Sequence, residues 1–154
     1  MTAPNHALTG ALIGLGVGNP WIALPAAFLS HFVCDAIPHY DPKQRDLAKL
    51  FRSYRFVVEF LLIGAGLCFL IVLLLALYRP HAWLQAAVCA FLAASPDLLW
   101  LPRFLKTRHT GKDKVPDGWF FQMHDKIQWK TGPKLFWFEV VWFLGAGTLV
   151  LAHL

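Results

Sequence analysis

The residues best suited to chemistry lie in one short stretch, Ser30-His31-Phe32-Val33-Cys34-Asp35-Ala36-Ile37-Pro38-His39-Tyr40-Asp41. His31 and Asp35 are four apart, which puts both side chains on one helix face at neighbouring turns. Pro38 disfavours helix at Ile37, so the helix is expected to stop there and leave His39 and Asp41 on a turn that can fold towards the same face. A continued helix would carry His39 about 12 Å along the axis from His31, too far to share one ion. Imidazoles and carboxylates together are ligands for zinc and other first-row metals. A bound divalent ion would offset the cost of clustering such groups and acidify a water into a nucleophile.

Further ionisable groups fall inside or at the ends of apolar stretches: His6, Glu59, Asp97 and Glu139. An Asp at the centre of a membrane helix costs at least ~2.5 kcal/mol on insertion scales, so such groups imply function by default. Each also has a plainer reading. His31 and Asp35 would serve as a neutral pair fastening two helices. Pro96-Asp97 would act as a helix-breaking cap, and Asn5 as the N-cap of a helix starting at His6. Glu59 and Glu139 are expected to pair with Arg55 and Lys134 by snorkelling to the interface. His124-Asp125 is read as an exposed pair, His109 as a solvated loop residue, and His81 and His153 as interfacial.

The elements that must position these groups are hydrophobic. Of 154 residues, 57% are hydrophobic and 15% charged, against about 25% charged in a soluble domain; the mean hydropathy is +0.50. Five apolar segments follow: about 6–18, 21–37, 56–78, 82–101 and 135–154. Roughly 20 apolar residues span a bilayer, so the last three are expected to cross. Gly18-Asn19-Pro20 is a turn signal, and the first two segments are read as a helical hairpin over about 6–37 that returns to its side of entry. Gly10, Gly14 and Gly18, spaced by four, form a smooth stripe that lets another backbone approach closely.

Thirteen of the fourteen Lys and Arg residues lie between the second and third segments or in the basic loop 102–134; only Arg79 does not. The positive-inside rule makes that side cytoplasmic. His6, Asp35, His39, Asp97, Glu59 and Glu139 then all fall towards that side. Confinement of the +5 formal charge to two loops between apolar stretches points to anionic lipid headgroups, with no nucleic acid partner. In the basic loop, Asp117 is placed to cap a short aromatic and basic helix through Trp119, Phe120, Met123, Ile127 and Trp129, suited either to lie in the interface or to face the core as a loop helix. Cys34, Cys68 and Cys89 are scattered through apolar stretches with no CxxC pair, as buried small hydrophobes. No Lys or Arg precedes Lys43, so the first segment lacks a basic leader and is expected to remain in the mature protein.

Asn5-His6-Ala7-Leu8-Thr9-Gly10, His31-xxx-Asp35-xx-Pro38-His39 and Pro96-Asp97 resemble the bacterial inner-membrane family of membrane-bound metal-dependent hydrolases (YdjM-like). The HxxxD element is also similar to the metal-site pattern of zinc-dependent phospholipases C. The resemblance implies that His6, His31, Asp35, His39 and Asp97 are metal or catalytic positions. The family's Thr-His-Ser element does not occur here, and His124, in Met123-His124-Asp125-Lys126, is the residue that would stand in its place.

The expectation is an all-α, multi-pass bundle forming one integral domain over 1–154 in the bacterial inner membrane. His31, Asp35 and His39 would hold a divalent metal, zinc or manganese, with His6 and Asp97 as further ligands or general base. The substrate would be a phosphoester or lipid-like molecule at the cytoplasmic face. The alternative is a non-catalytic membrane protein whose His/Asp cluster is a structural clasp. An ion pathway is disfavoured, because the opposite halves of the segments offer only Gln85 and Thr148.

Overall fold

The break at Gly18-Asn19-Pro20 separates helix α1 (Ala3–Gly16) from α2 (Pro20–Ala36) in the computed structural model, which describes residues 1–40, 62–110 and 118–154. Asp41, Glu59, Asp117, Lys112, Lys114 and the basic residues between 43 and 55 lie outside the described residues. The other elements among the described residues are α3 (Gly64–Tyr78), α4 (Trp83–Ala94), a 3-10 turn (Ser95–Trp100), α5 (Leu101–Thr110), α6 (Trp119–Ile127), a second 3-10 turn (Pro133–Leu135) and α7 (Phe136–His153). Among the described residues the only paired extended backbone is a bridge between His39 and Thr131.

Helix α1 begins earlier than Asn5 suggested. Thr2 occupies the cap position and Pro4 falls in the first turn, where its fixed φ suits a helix and its missing N–H costs nothing. Asn5 is therefore inside the helix with its side chain free for tertiary contacts. At the other break, the Asn19 side chain accepts from the Trp21 N–H at 3.0 Å and caps α2.

Helix α1 is central. Its Ala7, Leu8 and Ala11 pack with Ile71 and Leu75 of α3, Ala86 and Ala90 of α4, and Ala146 and Val150 of α7. Ala23 and Ala27 of α2 close on Cys89 of α4 in a second cluster. A core built largely of alanine brings backbones together, as in helix pairs that associate without large apolar side chains. The glycine stripe shows how close. A Cβ on Gly10 would lie 2.7 Å from the Ala93 Cβ, and one on Gly14 would lie 2.6 Å from the Ala86 Cα. The partner of the stripe is α4, not α2, and Gly18 has open space around it.

Many large apolar side chains of the described residues are exposed. Trp21, Phe69, Leu77, Phe91, Trp137 and Val141 are all exposed. Two stretches are long and apolar enough to cross a membrane by length and composition: Trp83–Arg103, which runs from α4 through the 3-10 turn into α5, and Pro133–His153. In the second, only 11% of the apolar window is buried in the protein, so its hydrophobicity is not accounted for by the core. The 14 residues of α1 reach about 21 Å, short of the roughly 30 Å hydrocarbon layer. Gln85 and Thr148 are committed within the protein. Gln85 Nε2 donates to the carbonyls of Gly14 (3.1 Å) and Val17 (2.6 Å), satisfying the end of α1, and the Thr148 hydroxyl bonds to Leu144 O.

Candidate metal centre

Helix α2 places His31 and Asp35 on one face, with His31 Nε2 3.3 Å from Asp35 Oδ2. The helix ends as Pro38 requires, and Ile37 turns extended with ψ 142°. His39 then folds back. Its backbone N–H bonds to Lys130 O and its carbonyl accepts from Gly132 N, both at 3.3 Å. These two bonds hold the turn against the segment after α6. His39 Nε2 comes to 3.9 Å from Asp35 Oδ1.

Three other elements meet the same carboxylate. The first turn of α1 brings His6, whose ring stacks on His31 at 4.2 Å and whose Nε2 lies 3.1 Å from Asp35 Oδ1. At the end of α4, Pro96 leads into the 3-10 turn, where Asp97 Oδ1 stands 3.8 Å from His31 Nε2. Pro96 also has no N–H to give the Ala93 carbonyl three residues back, and that carbonyl instead meets His31 Nδ1 at 2.8 Å. Finally α6 turns His124 inward, its Nε2 3.1 Å from Asp35 Oδ2 and 2.9 Å from His31 Nε2. Gln128 Nε2 (2.9 Å) and the Met1 amino group (2.5 Å) complete the shell around Asp35.

Proton accounting shows what this arrangement favours. A neutral imidazole has one N–H and one lone pair. His31 gives its Nδ1–H to Ala93 O, and His39 gives its Nδ1–H to Ile37 O at 2.8 Å. Each then presents an Nε2 lone pair near the oxygens of a buried carboxylate. A cation placed among them could take both lone pairs and a carboxylate oxygen; without one, the His31 lone pair faces His124 Nε2 at 2.9 Å and the His39 lone pair stands 3.9 Å from Asp35 Oδ1. Nδ1–H donated to a backbone carbonyl with Nε2 left open is also the usual posture of a metal-binding histidine. His31, Asp35, Asp97 and His124 each offer a ligand atom within 4.8 Å of the others, close enough to hold one ion. His6 Nδ1 and Asn5 Oδ1 are buried without a hydrogen-bond partner.

All five residues singled out in the sequence, His6, His31, Asp35, His39 and Asp97, lie around Asp35 or its neighbour His31, but only His31, Asp35 and Asp97 belong to the group whose ligand atoms are within 4.8 Å of one another; His6 and His39 do not. Asp35 is almost fully buried and the Asp97 side chain is 36% exposed, so Asp97 is the side of the cluster open to the surroundings. Two residues differ from expectation. His124 is buried, not half of an exposed pair, because the amphipathic α6 rolls its Phe120 and His124 against Phe32 of α2. The apolar spacing around it is the sequence signal that assigns it to the inner face. Glu139 does not snorkel outward. It is buried and accepts from Thr2 N (3.1 Å), Thr2 Oγ1 (2.8 Å) and Asn5 Nδ2 (2.6 Å) through Oε2, and from Tyr40 N (3.3 Å) through Oε1. It thereby ties α7 to the start of α1 and steadies the residue next to His39.

Comparison with known families, with curated proteins and with solved structures finds no match.

Proposed function

We propose that the chain is a multi-pass protein of the bacterial inner membrane, with basic loops towards the cytoplasm, and that the Asp35 cluster is a divalent-metal centre. On this reading it hydrolyses a phosphoester or lipid-like substrate at the cytoplasmic face, as in the membrane-bound metal-dependent hydrolases that its motifs resemble. The observation that carries the metal centre is the pair of imidazole lone pairs, on His31 and His39, presented to one buried carboxylate. Support for the membrane comes from the exposed apolar side chains, the two stretches long enough to cross, and the one-sided distribution of Lys and Arg.

The roles follow from position. His31, Asp35 and His39 hold the ion, zinc or manganese, since mixed nitrogen and oxygen donors suit first-row metals. Asp97, on the exposed side, meets substrate and water and serves as a further ligand or general base. His6 stacks on His31 and shares Asp35 Oδ1, which fixes the ring and the carboxylate together. When bound, the metal would polarise an ester oxygen and acidify water.

A second reading, a structural clasp without metal, has its own observation. Gln128, the Met1 amino group and four imidazoles already surround Asp35, enough to hold helices together if protons take the place of the ion. Elemental analysis of detergent-purified protein separates the two. About one zinc or manganese per chain, lost in the His31→Ala/Asp35→Ala double mutant, supports the metal centre. A wild type that stays empty after metal is added back leaves only the clasp.

A further inference from the structure

Trp100 and His124 make a contact that the roles above do not use. The Trp100 indole nitrogen lies 3.1 Å from His124 Nδ1, and an indole N–H can only donate. His124 Nδ1 is therefore the acceptor, and the partner assigns the ring's one proton to Nε2. That Nε2–H faces His31 Nε2 at 2.9 Å and Asp35 Oδ2 at 3.1 Å. His31 in turn gives its own proton to the Ala93 carbonyl. Donors and acceptors thus run one way, from Trp100 through His124 and His31 to Ala93. This is the reverse of a ligand's posture, in which Nδ1 donates outward and Nε2 is bare.

The distances agree. Atoms sharing a tetrahedral ion at bond lengths of about 2.0–2.1 Å stand roughly 3.3 Å from one another. His31 Nε2 and Asp35 Oδ2, at 3.3 Å, fit such an edge. His124 Nε2 is closer to both, at hydrogen-bonding separation. The ring has little freedom to turn, since it stacks on Phe120 at 6.0 Å with 7° between planes and meets the edge of Phe32 at 6.0 Å.

Resting on the metal-centre reading, we infer that His124 is a positioning residue and not a ligand. Trp100 holds it as an Nε2–H donor, and it orients Asp35 Oδ2 towards the ion. The ion is then held by His31, Asp35 and His39, with Asp97 at the open side. With His31 Nε2 committed to an ion, the His124 Nε2–H would be left to Asp35 Oδ2 at 3.1 Å.

The test uses the full chain in detergent, loaded with zinc. It measures affinity and counts bound imidazoles by X-ray absorption. His124→Gln keeps an N–H donor at a similar reach, so it should retain one zinc, the wild-type imidazole count and an affinity within about 3-fold of wild type. His124→Leu removes the donor and should weaken binding about 10-fold or more, as loss of an outer-shell partner does. Trp100→Phe releases His124 Nδ1 to carry the proton, so Nε2 becomes free to bind and the imidazole count should rise by one. A purely structural role for Trp100 would not produce that rise. If His124→Gln loses one imidazole and binds zinc as poorly as His31→Ala, the inference is overturned while the metal centre stands. A wild type that binds no zinc overturns both.

Discussion

The two halves of α1 are held by opposite kinds of contact, although His6, Gly10 and Gly14 follow one another at intervals of four along one face. At the glycine half, the α4 backbone lies where a side chain would be. The seam is specified chiefly by volume, with one directional tie where Gln85 Nε2 donates to Gly14 O at 3.1 Å. At the histidine half, Asn5 and His6 are buried polar groups tied to Glu139 and Asp35 at 2.6–3.1 Å. That end is specified by donors and acceptors. The first contact sets the second, because the depth at which α1 lies on α4 decides whether the His6 ring reaches Asp35. The polar cluster therefore depends on residues that carry no chemistry.

That dependence can be broken at the seam. Gly10→Leu would drive a side chain into the Cys89 and Ala93 region of α4 and should destabilise by at least about 3 kcal/mol, leaving little folded protein on thermal unfolding in detergent. An unfolding temperature within a few degrees of wild type would mean the seam has slack. At the polar end, Asp35→Ala should reduce metal affinity by more than the roughly 10–100-fold that an outer-shell change costs, with the protein still folded. Equal metal content in mutant and wild type would remove Asp35 from the centre. Glu139→Gln weakens the acceptor for Thr2 and Asn5 and should cost about 1–3 kcal/mol of stability. Its metal stoichiometry should be unchanged, and a loss of metal would show that α7 shapes the site directly. Gly18→Ala, with open space around the position, should change stability by no more than about 0.5 kcal/mol. A larger loss would extend the seam past the end of α1.

What the sequence revealed and what it hid divide along the same line. Local rules found the shared face and the helix end: the four-residue spacing puts His31 and Asp35 side by side, and Pro38 stops the helix so that His39 folds back. The rules failed where a tertiary partner decided the outcome. Gly10 and Gly14 signalled close packing but not with which helix, since a smooth face suits α2 and α4 alike. Asn5 has the chemistry of a cap, but Pro4 moved the helix start upstream and freed it for Glu139. Glu139 turned inward because Thr2 and Asn5 offered three donors at its level, a coincidence of residues more than 130 positions apart. His124 was visible as a histidine on an amphipathic segment, but only the docking of α6 against Phe32 brings it to Asp35.

The separation of His31 and His124 by 93 positions also sets an order of events during synthesis. A ribosome adding about 5–20 residues per second takes roughly 5–20 s to pass from one to the other. For that interval the nascent chain carries an unfinished Asp35 cluster, short of the imidazole and the Gln128 amide that later close over it. The cluster is completed only once most of the protein has been made, so whatever fills it is chosen near the end of assembly.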